Sequence, residues 1–356
     1  MESHIWLGLM SGSSLDGLDI ACCSFSETNG KWKGEVLKAE TYPFKPELES
    51  ILMRLPYATA LEFVQADAAF SRFCADMVVD FLSSTRLKPT AIASHGHTIF
   101  HKPSAGYTAQ IGNGCYLAAL TGLTVVSDFR TANVAAGGEG APLVPGAERF
   151  LFSDYDACLN LGGIANVSFP NQDPFLGFDI SPCNQLLNWV AGWLDKKYDH
   201  GGELARSGTP IPALLSALDG ISYYQSTTTR SLGNEDIRSY WLPVVERFRN
   251  FSTPDVQNTL SNHISQRITN RILSVKSAGR ILITGGGAFN RYLVEDLQKN
   301  LGKNWKVIVP DPQLVSFKEA YCFAFLGLKR FIGEINCFAS VTGASSDHIC
   351  GSICLP

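Results

Sequence analysis

The sequence predicts an α/β protein of two duplicated domains around a central cleft, and two observations carry that expectation. A strand, a turn of small residues and a return strand open the chain at Leu7–Phe25, and a unit of the same design recurs at Asp156–Phe169. The length agrees, because 356 residues exceed one ordinary domain and suit two of roughly 150–200 residues each. The expected boundaries place 1–128 with the returning tail 340–356 in the first domain, and 129–339 in the second.

Composition narrows the class of partner. A hydrophobic share of 45% beside 17% charged residues is enough to bury two cores. The net charge is −4 and no run of like charges stands out, so neither a nucleic acid nor a membrane surface is expected as a partner. The apolar start His4–Met10 lacks the basic region and cleavage site of a secretory signal. No uninterrupted apolar stretch reaches the roughly 18 residues of a membrane-spanning helix. The ten cysteines are scattered through apolar segments, which predicts reduced, buried thiols and a cytoplasmic protein. Cys350 and Cys354 have no second pair to complete a zinc site.

The first hairpin carries Gly12, Ser13, Ser14, Leu15, Asp16, Gly17, Leu18 and Asp19. Its small residues let a backbone approach a ligand, and successive amides in such a turn form an anion-binding concavity. It is no Walker A loop, since Gly-Lys-Ser/Thr is missing and a strand follows. In the second hairpin Gly162 and Gly163 form the turn. Two glycine-lined hairpins at domain spacing suit a triphosphate held from both sides.

Three further segments fit the same cleft. Asp179 ends a strand just before a helix expected over Gln185–Leu194, where a carboxylate points into a crevice as a general base. Strand Ile281–Thr284 leads through Gly285, Gly286 and Gly287 into a helix expected over Asn290–Asn300, and bare glycines there let an adenosine lie against the backbone. Ser340–Ala344 is a small-residue turn. The densest polar cluster lies between 94 and 142, with His95, His97, Gln110, Asp128, Arg130, Gly138, Glu139 and Gly140 on loops hung from strand ends. The two histidines are read as substrate hydrogen-bonding or structural groups and not as a metal pair.

Together these stretches resemble the anhydro-N-acetylmuramic acid kinases, a branch of the actin/hexokinase/Hsp70-like ATPase superfamily. The resemblance runs through Gly8–Asp19, Ser94–Pro103, Gln110–Gly112, Asp128–Arg130, Gly137–Pro145, Asn160–Asn166, Gly177–Asp179, Gly285–Asn290, Glu319-Ala320 and Ser340–Ala344, in the family's order. It implies two actin-like (ribonuclease H-like) domains with mixed sheets, ATP and Mg2+ as cofactors, and a homodimer. It also implies hydrolytic opening of a 1,6-anhydro sugar with phosphorylation at O6. Asp179 matches the family's catalytic aspartate, and Glu319 matches a second acidic position near the sugar or metal. Gly12–Asp19, Gly162-Gly163, Gly285–Gly287 and Asn290 then bind nucleotide, and the 94–142 cluster binds sugar.

The chain also departs from the family pattern. Asn133 and Asn188 stand where Asp is usual, Glu139 where Gln is usual, Asn234 where Arg is common, and Ile180-Ser181-Pro182-Cys183 precede Asn184 in place of Thr-Gly-Pro-Gly. Two other readings stay open at this level: a sugar kinase acting on an ordinary hydroxyl, and a degenerate nucleotide-binding homologue.

Overall fold

The structure is a computed structural model describing residues 3–12, 15–225 and 232–356. Contacts divide the chain into two compact units, residues 1–153 with 317–356, and residues 154–316.

Unit 1 is built on a seven-stranded mixed sheet. Its strands are β1 (His4–Ser11), β2 (Leu18–Thr28), β3 (Lys31–Tyr42), β4 (Ala91–Lys102), β5 (Tyr107–Ile111), β6 (Thr124–Ser127) and the C-terminal β12 (Ser352–Cys354). The order is β12-β6-β4-β1-β2-β3, with β5 paired to β4. Strands β1–β3 form an antiparallel meander, while β4 runs parallel to β1 and β6 parallel to β4. In the middle of β1, Trp6, Leu7 and Leu9 are all fully buried, the continuous apolar run of a strand covered on both faces.

Unit 2 repeats the plan with β7 (Ala157–Leu161), β8 (Ile164–Phe169), β9 (Leu176–Pro182), β10 (Gly279–Thr284) and β11 (Trp305–Ile308). The order β11-β10-β7-β8-β9 again places an antiparallel meander beside two parallel strands. Setting aside β5 and β12, the run β3-β2-β1-β4-β6 of the first sheet has the same pattern as β9-β8-β7-β10-β11 of the second. The duplication expected from two hairpins is therefore a duplication of whole sheets, and the fold is the two-domain actin-like α/β fold.

The unit boundaries fall elsewhere than the sequence suggested. Phe150 contacts Phe325, and Phe152 contacts Tyr321. Phe325 in turn meets Phe25 and Trp32 from β2 and β3, and Phe331 meets Trp6. These aromatic contacts hold residues 129–153 and 317–339 against the first sheet, which moves the divisions from 128 and 339 to 153 and 316. The turn at 128 and the short helix Ala339–Thr342, where the sequence suggested a turn, lie within unit 1 and not at its edges.

Helices cover both sheets. Ala60–Ser83 opens with a capping box, in which Thr59 Oγ1 accepts from the Glu62 amide and Glu62 accepts from the Thr59 amide. It buries Phe70, Cys74, Val78 and Phe81 in the first core. In unit 2 the long helix Thr253–Val275 buries Val256, Leu260, Ile264, Ile268 and Ile272 at helical spacing. No helix among the described residues is long and apolar enough to cross a membrane.

One cysteine pairing was not anticipated. Cys115 and Cys354 form a disulfide that ties β12 to the helix Gly114–Thr121, while the eight other cysteines are free and buried. The two partners are 239 residues apart in sequence, so no local spacing announces the bond.

Candidate active site

In unit 1, β4 delivers two histidines to opposite sides of the sheet. Gly96 between them has φ +73°, and the β1–β4 register shifts at the same place. That irregularity breaks the normal alternation, in which residues two apart share a face. His95 turns toward Phe323, whereas His97 sits among Phe44 and Phe70 with Nδ1 2.8 Å from Ser11 Oγ. His97 is thus a core residue, set apart from His95 and the loops around it.

His95 is fixed on both ring nitrogens. Nδ1–H donates to the Gly96 carbonyl at 2.9 Å, so Nε2 accepts from Arg130, from Nε at 3.1 Å and from Nη2 at 2.8 Å. Burial and the Arg130 charge hold its pKa well below the ordinary value. This imidazole is a neutral acceptor that aims a guanidinium. Arg130 also donates from Nη1 to the Gly140 carbonyl at 2.7 Å, fixing the loop of Gly138, Glu139 and Gly140.

That loop is braced from behind. The Gly140 amide donates to Asn133 Oδ1 at 2.7 Å, and the Glu139 amide to the Thr342 carbonyl at 2.7 Å. A Cβ on Gly138 would stand 2.3 Å from Asn133 Oδ1, so only glycine passes there. Asn133 is fully buried, and its departure from the family's Asp falls on an internal strut. The Glu139 side chain is exposed.

His95, Gln110 and Asp128 line one cavity of about 350 Å3 in unit 1, together with Ser94, Asp67 and Asn113. Asp67, which no local motif singles out, accepts from the amides of Gly112 at 2.7 Å and Asn113 at 3.2 Å and holds the cavity wall. Gln110 donates to Thr108 Oγ1 at 2.7 Å.

The first hairpin supplies acid groups as well as backbone. Leu15 has φ +59°, and its amide donates to the Gly12 carbonyl at 3.3 Å. Gly17 has φ +152° and would bring a Cβ to 2.4 Å from the Tyr42 carbonyl. Leu18 is buried in the core, so it offers a ligand only its backbone. Asp16 is exposed. Ser13 and Ser14 lie outside the described residues.

Asp19 and Glu319 are two unit 1 carboxyls whose anions are disfavoured by desolvation. Desolvation raises the Asp19 carboxyl, against a 2.6 Å hydrogen bond from Thr41 Oγ1, and the Asp16 charge raises it further. Desolvation also raises Glu319; Lys318 and Arg130 pull it down, and Asp19 and Glu148 push it up. Solvent reaches the Glu319 side chain, yet the protein crowded around it disfavours the anion. Two carboxylates raised in this way offer hard oxygen donors that a divalent cation would relieve, and they fit Mg2+ by donor chemistry. Lys318 pairs with Glu148 in a buried ion pair next to Glu319, a contact that sequence spacing alone did not suggest.

Unit 2 gathers its glycines around Leu161. Asn184 Nδ2 donates to the Leu161 carbonyl at 2.8 Å, and the Cys183 and Asn184 amides donate to the carbonyls of Gly163 and Gly162 at 2.8 and 3.1 Å. Gly285 has φ +79°, and a Cβ there would meet Asn160 Oδ1 at 2.5 Å. On Gly287 a Cβ would meet Leu161 Cβ at 2.7 Å. Asn290 caps the helix Arg291–Leu301 by accepting from the Leu293 amide at 3.1 Å. Gly286, Gly287 and Asn290 line a cavity of about 400 Å3 with Asn184, Asn188, Tyr198 and Phe289. The helix after Asp179 is Asn184–Ala191, followed by a 3-10 turn through Leu194.

Asp179 lies on β9 opposite Asn166 of β8. Its Oδ2 accepts from the Leu232 amide at 2.9 Å, and its backbone carbonyl accepts from Tyr223 Oη at 3.0 Å. Desolvation raises its pKa, while the Leu232 amide opposes that rise. A half-buried carboxylate, oriented and kept basic, is equipped to take a proton. Asn234, outside the expected set, accepts from Gln185 Nε2 at 2.7 Å.

Residues 4–356 match the family described as anhydro-N-acetylmuramic acid kinase. An anhydro-N-acetylmuramic acid kinase of Sulfurimonas denitrificans is 35% identical, over 99% of this chain and 99% of its own length. Another from Psychrobacter cryohalolentis is 32% identical over 99% of this chain and 95% of its own. Among solved structures, a ROK family glucokinase from Streptomyces griseus in complex with glucose and AMPPNP is 13% identical, with a TM-score of 0.43 over 91% of this chain and 90% of that one.

Proposed function

Because the chain belongs to the anhydro-N-acetylmuramic acid kinase family, whose members are phosphotransferases acting on a sugar hydroxyl, we propose that it opens 1,6-anhydro-N-acetylmuramic acid with water and phosphorylates O6 from ATP. The observation that carries the hydrolytic half is Asp179, a desolvated carboxylate oriented by the Leu232 amide.

In this reaction Asp179 takes a proton from water as its oxygen bonds to the anomeric carbon. The C1–O6 bond breaks with its electron pair passing to O6, and O6 attacks the γ-phosphorus as the bond to ADP breaks. A glycoside normally needs an acid to protonate its leaving oxygen, but here the phosphoryl group captures that oxygen. One base therefore suffices.

The family resemblance supports the remaining roles. It assigns ATP binding to Gly162, Gly163, Gly285–Gly287 and Asn290 and to the Gly12–Asp19 hairpin, through backbone amides and bare glycine surfaces. His95, Gln110, Asp128, Arg130 and the Gly138–Gly140 loop bind sugar. Asp19 and Glu319 would hold Mg2+, which supplies charge neutralisation at the phosphates. The product is N-acetylmuramic acid 6-phosphate, of use in recycling peptidoglycan. The family resemblance supports a cytoplasmic homodimer, to be checked by light scattering.

The test is turnover of purified enzyme on anhydro and reducing N-acetylmuramic acid, followed by ADP release, with 18O-labelled water. The reading predicts phosphorylation of the anhydro sugar with label at the C1 hydroxyl beyond the level of solvent exchange. Activity confined to the reducing sugar would identify an ordinary sugar kinase.

A further inference from the structure

Three soft metal-ligating side chains converge in unit 1, on residues that the proposed nucleotide and sugar roles do not use. Cys337 and His348 face each other across an isolated antiparallel bridge, closed by amide–carbonyl bonds of 3.0 and 3.2 Å, and Cys350 follows two residues later. The two sulfurs and a ring nitrogen all lie within 4.8 Å of one another. Around zinc, with Zn–S about 2.3 Å and Zn–N about 2.0–2.1 Å, tetrahedral ligand atoms stand about 3.5–3.8 Å apart, so these three close on an ion with shifts of about 1 Å.

The surroundings point the same way. His348 Nδ1 lies 2.8 Å from the Ser346 carbonyl and donates its hydrogen there, which leaves the Nε2 lone pair for a ligand. Metal-bound histidines are oriented by such a bond from the other ring nitrogen. The amide of Asn133 is fixed by the Gly140 N–H on Oδ1. Its Nδ2, with two hydrogens, meets three acceptors: Thr342 Oγ1 at 2.8 Å, Cys337 Sγ at 3.1 Å and His348 Nε2 at 3.4 Å. The Thr342 hydroxyl spends its own hydrogen on the Phe338 carbonyl. Two hydrogens cannot serve all three acceptors at once, which leaves a lone pair on sulfur or imidazole open to a cation.

We propose that Cys337, His348 and Cys350 bind a thiophilic divalent cation of the zinc class, with a fourth, non-protein ligand completing the tetrahedron. Two thiolates and an imidazole select such an ion over Mg2+ or Ca2+. Its role is structural. The site joins the C-terminal segment to Asn133, and Asn133 in turn holds the Gly140 amide. The Ser345 amide donates to the Ala136 carbonyl at 3.1 Å, adding a second tie to the same loop. The metal therefore braces the 133–140 segment; only the segment's assignment to sugar rests on the kinase reading.

The experiment uses the reduced, chelator-treated full-length chain, titrated with Co2+ and with Zn2+ against a chromophoric chelator. The expected result is one equivalent bound, a thiolate-to-cobalt charge-transfer band with tetrahedral d–d absorption, and slower hydrogen exchange across 133–140 in the loaded protein. His348→Ala, at a half-exposed position, and Cys350→Ser should each weaken binding by more than about 100-fold. No uptake by the reduced chain, including a chain in which Cys337 and Cys350 were recovered as a disulfide, overturns the site. Wild-type affinity in both variants overturns the ligand set. Uptake without a change in exchange overturns the bracing role. None of these readouts depends on turnover, so failure of the kinase reading remains distinguishable.

Discussion

The Leu232 amide donates to Asp179 Oδ2 at 2.9 Å across 53 residues of sequence. This bond orients the proposed base while limiting how far desolvation raises its pKa. If Asp179 takes the proton from water, Asp179→Asn should lower turnover by about 10²–10⁴-fold, because the isosteric amide cannot take it. ATP affinity, measured by calorimetry, should stay unchanged. An Asn variant within a few-fold of the parent would assign Asp179 a purely structural task.

The raised carboxyls also predict the pH dependence of stability. A carboxyl with a higher pKa folded than unfolded binds more protons in the folded chain, so stability falls as pH rises between the two values. Asp19 and Asp179 start from an ordinary value of 3.8 and Glu319 from 4.5, and all three are raised mainly by desolvation. Melting temperatures taken from mildly acidic to neutral pH should therefore drop less in Glu319→Gln than in the parent. Parallel curves would show that Glu319 titrates normally.

Arg130 makes a fork to His95 Nε2 with two nitrogens and spends a third on the Gly140 carbonyl. Lysine keeps the charge but not the fork. Arg130→Lys should raise KM for the sugar about tenfold or more while leaving KM for ATP nearly unchanged. An equal effect on both would place Arg130 outside sugar binding.

Gly285 is held at φ +79° with Asn160 Oδ1 only 2.5 Å from where a Cβ would be. Gly285→Ala should cost about 1–3 kcal/mol in unfolding experiments and weaken ATP binding, since both strain and bulk fall on the glycine turn. Full stability and affinity in the variant would remove this turn from the nucleotide site.

If Asp19 helps hold Mg2+, Asp19→Asn should raise the Mg2+ concentration needed for half-maximal rate at saturating ATP. The variant should also remain closer to parental activity at high Mg2+ than at low. An unaltered Mg2+ profile would leave Asp19 a hairpin residue that accepts from Thr41.

The duplicated α/β architecture was legible in the sequence. Strand-turn-strand units at Leu7–Phe25 and Asp156–Phe169 announce a duplication because their apolar runs and small-residue turns are local, and local pattern is what a sequence displays. Whatever depends on partners far along the chain emerged only with folding. The Gly96 irregularity separated His95 from His97, a matter of register between β1 and β4. Aromatic contacts of Phe150 and Phe325 moved the unit boundaries. The Cys115–Cys354 bond and the Cys337–His348–Cys350 cluster likewise follow from folding, since β12 and the segment before it return to the first sheet. Such contacts join residues with no common periodicity, so only the folded chain brings them together.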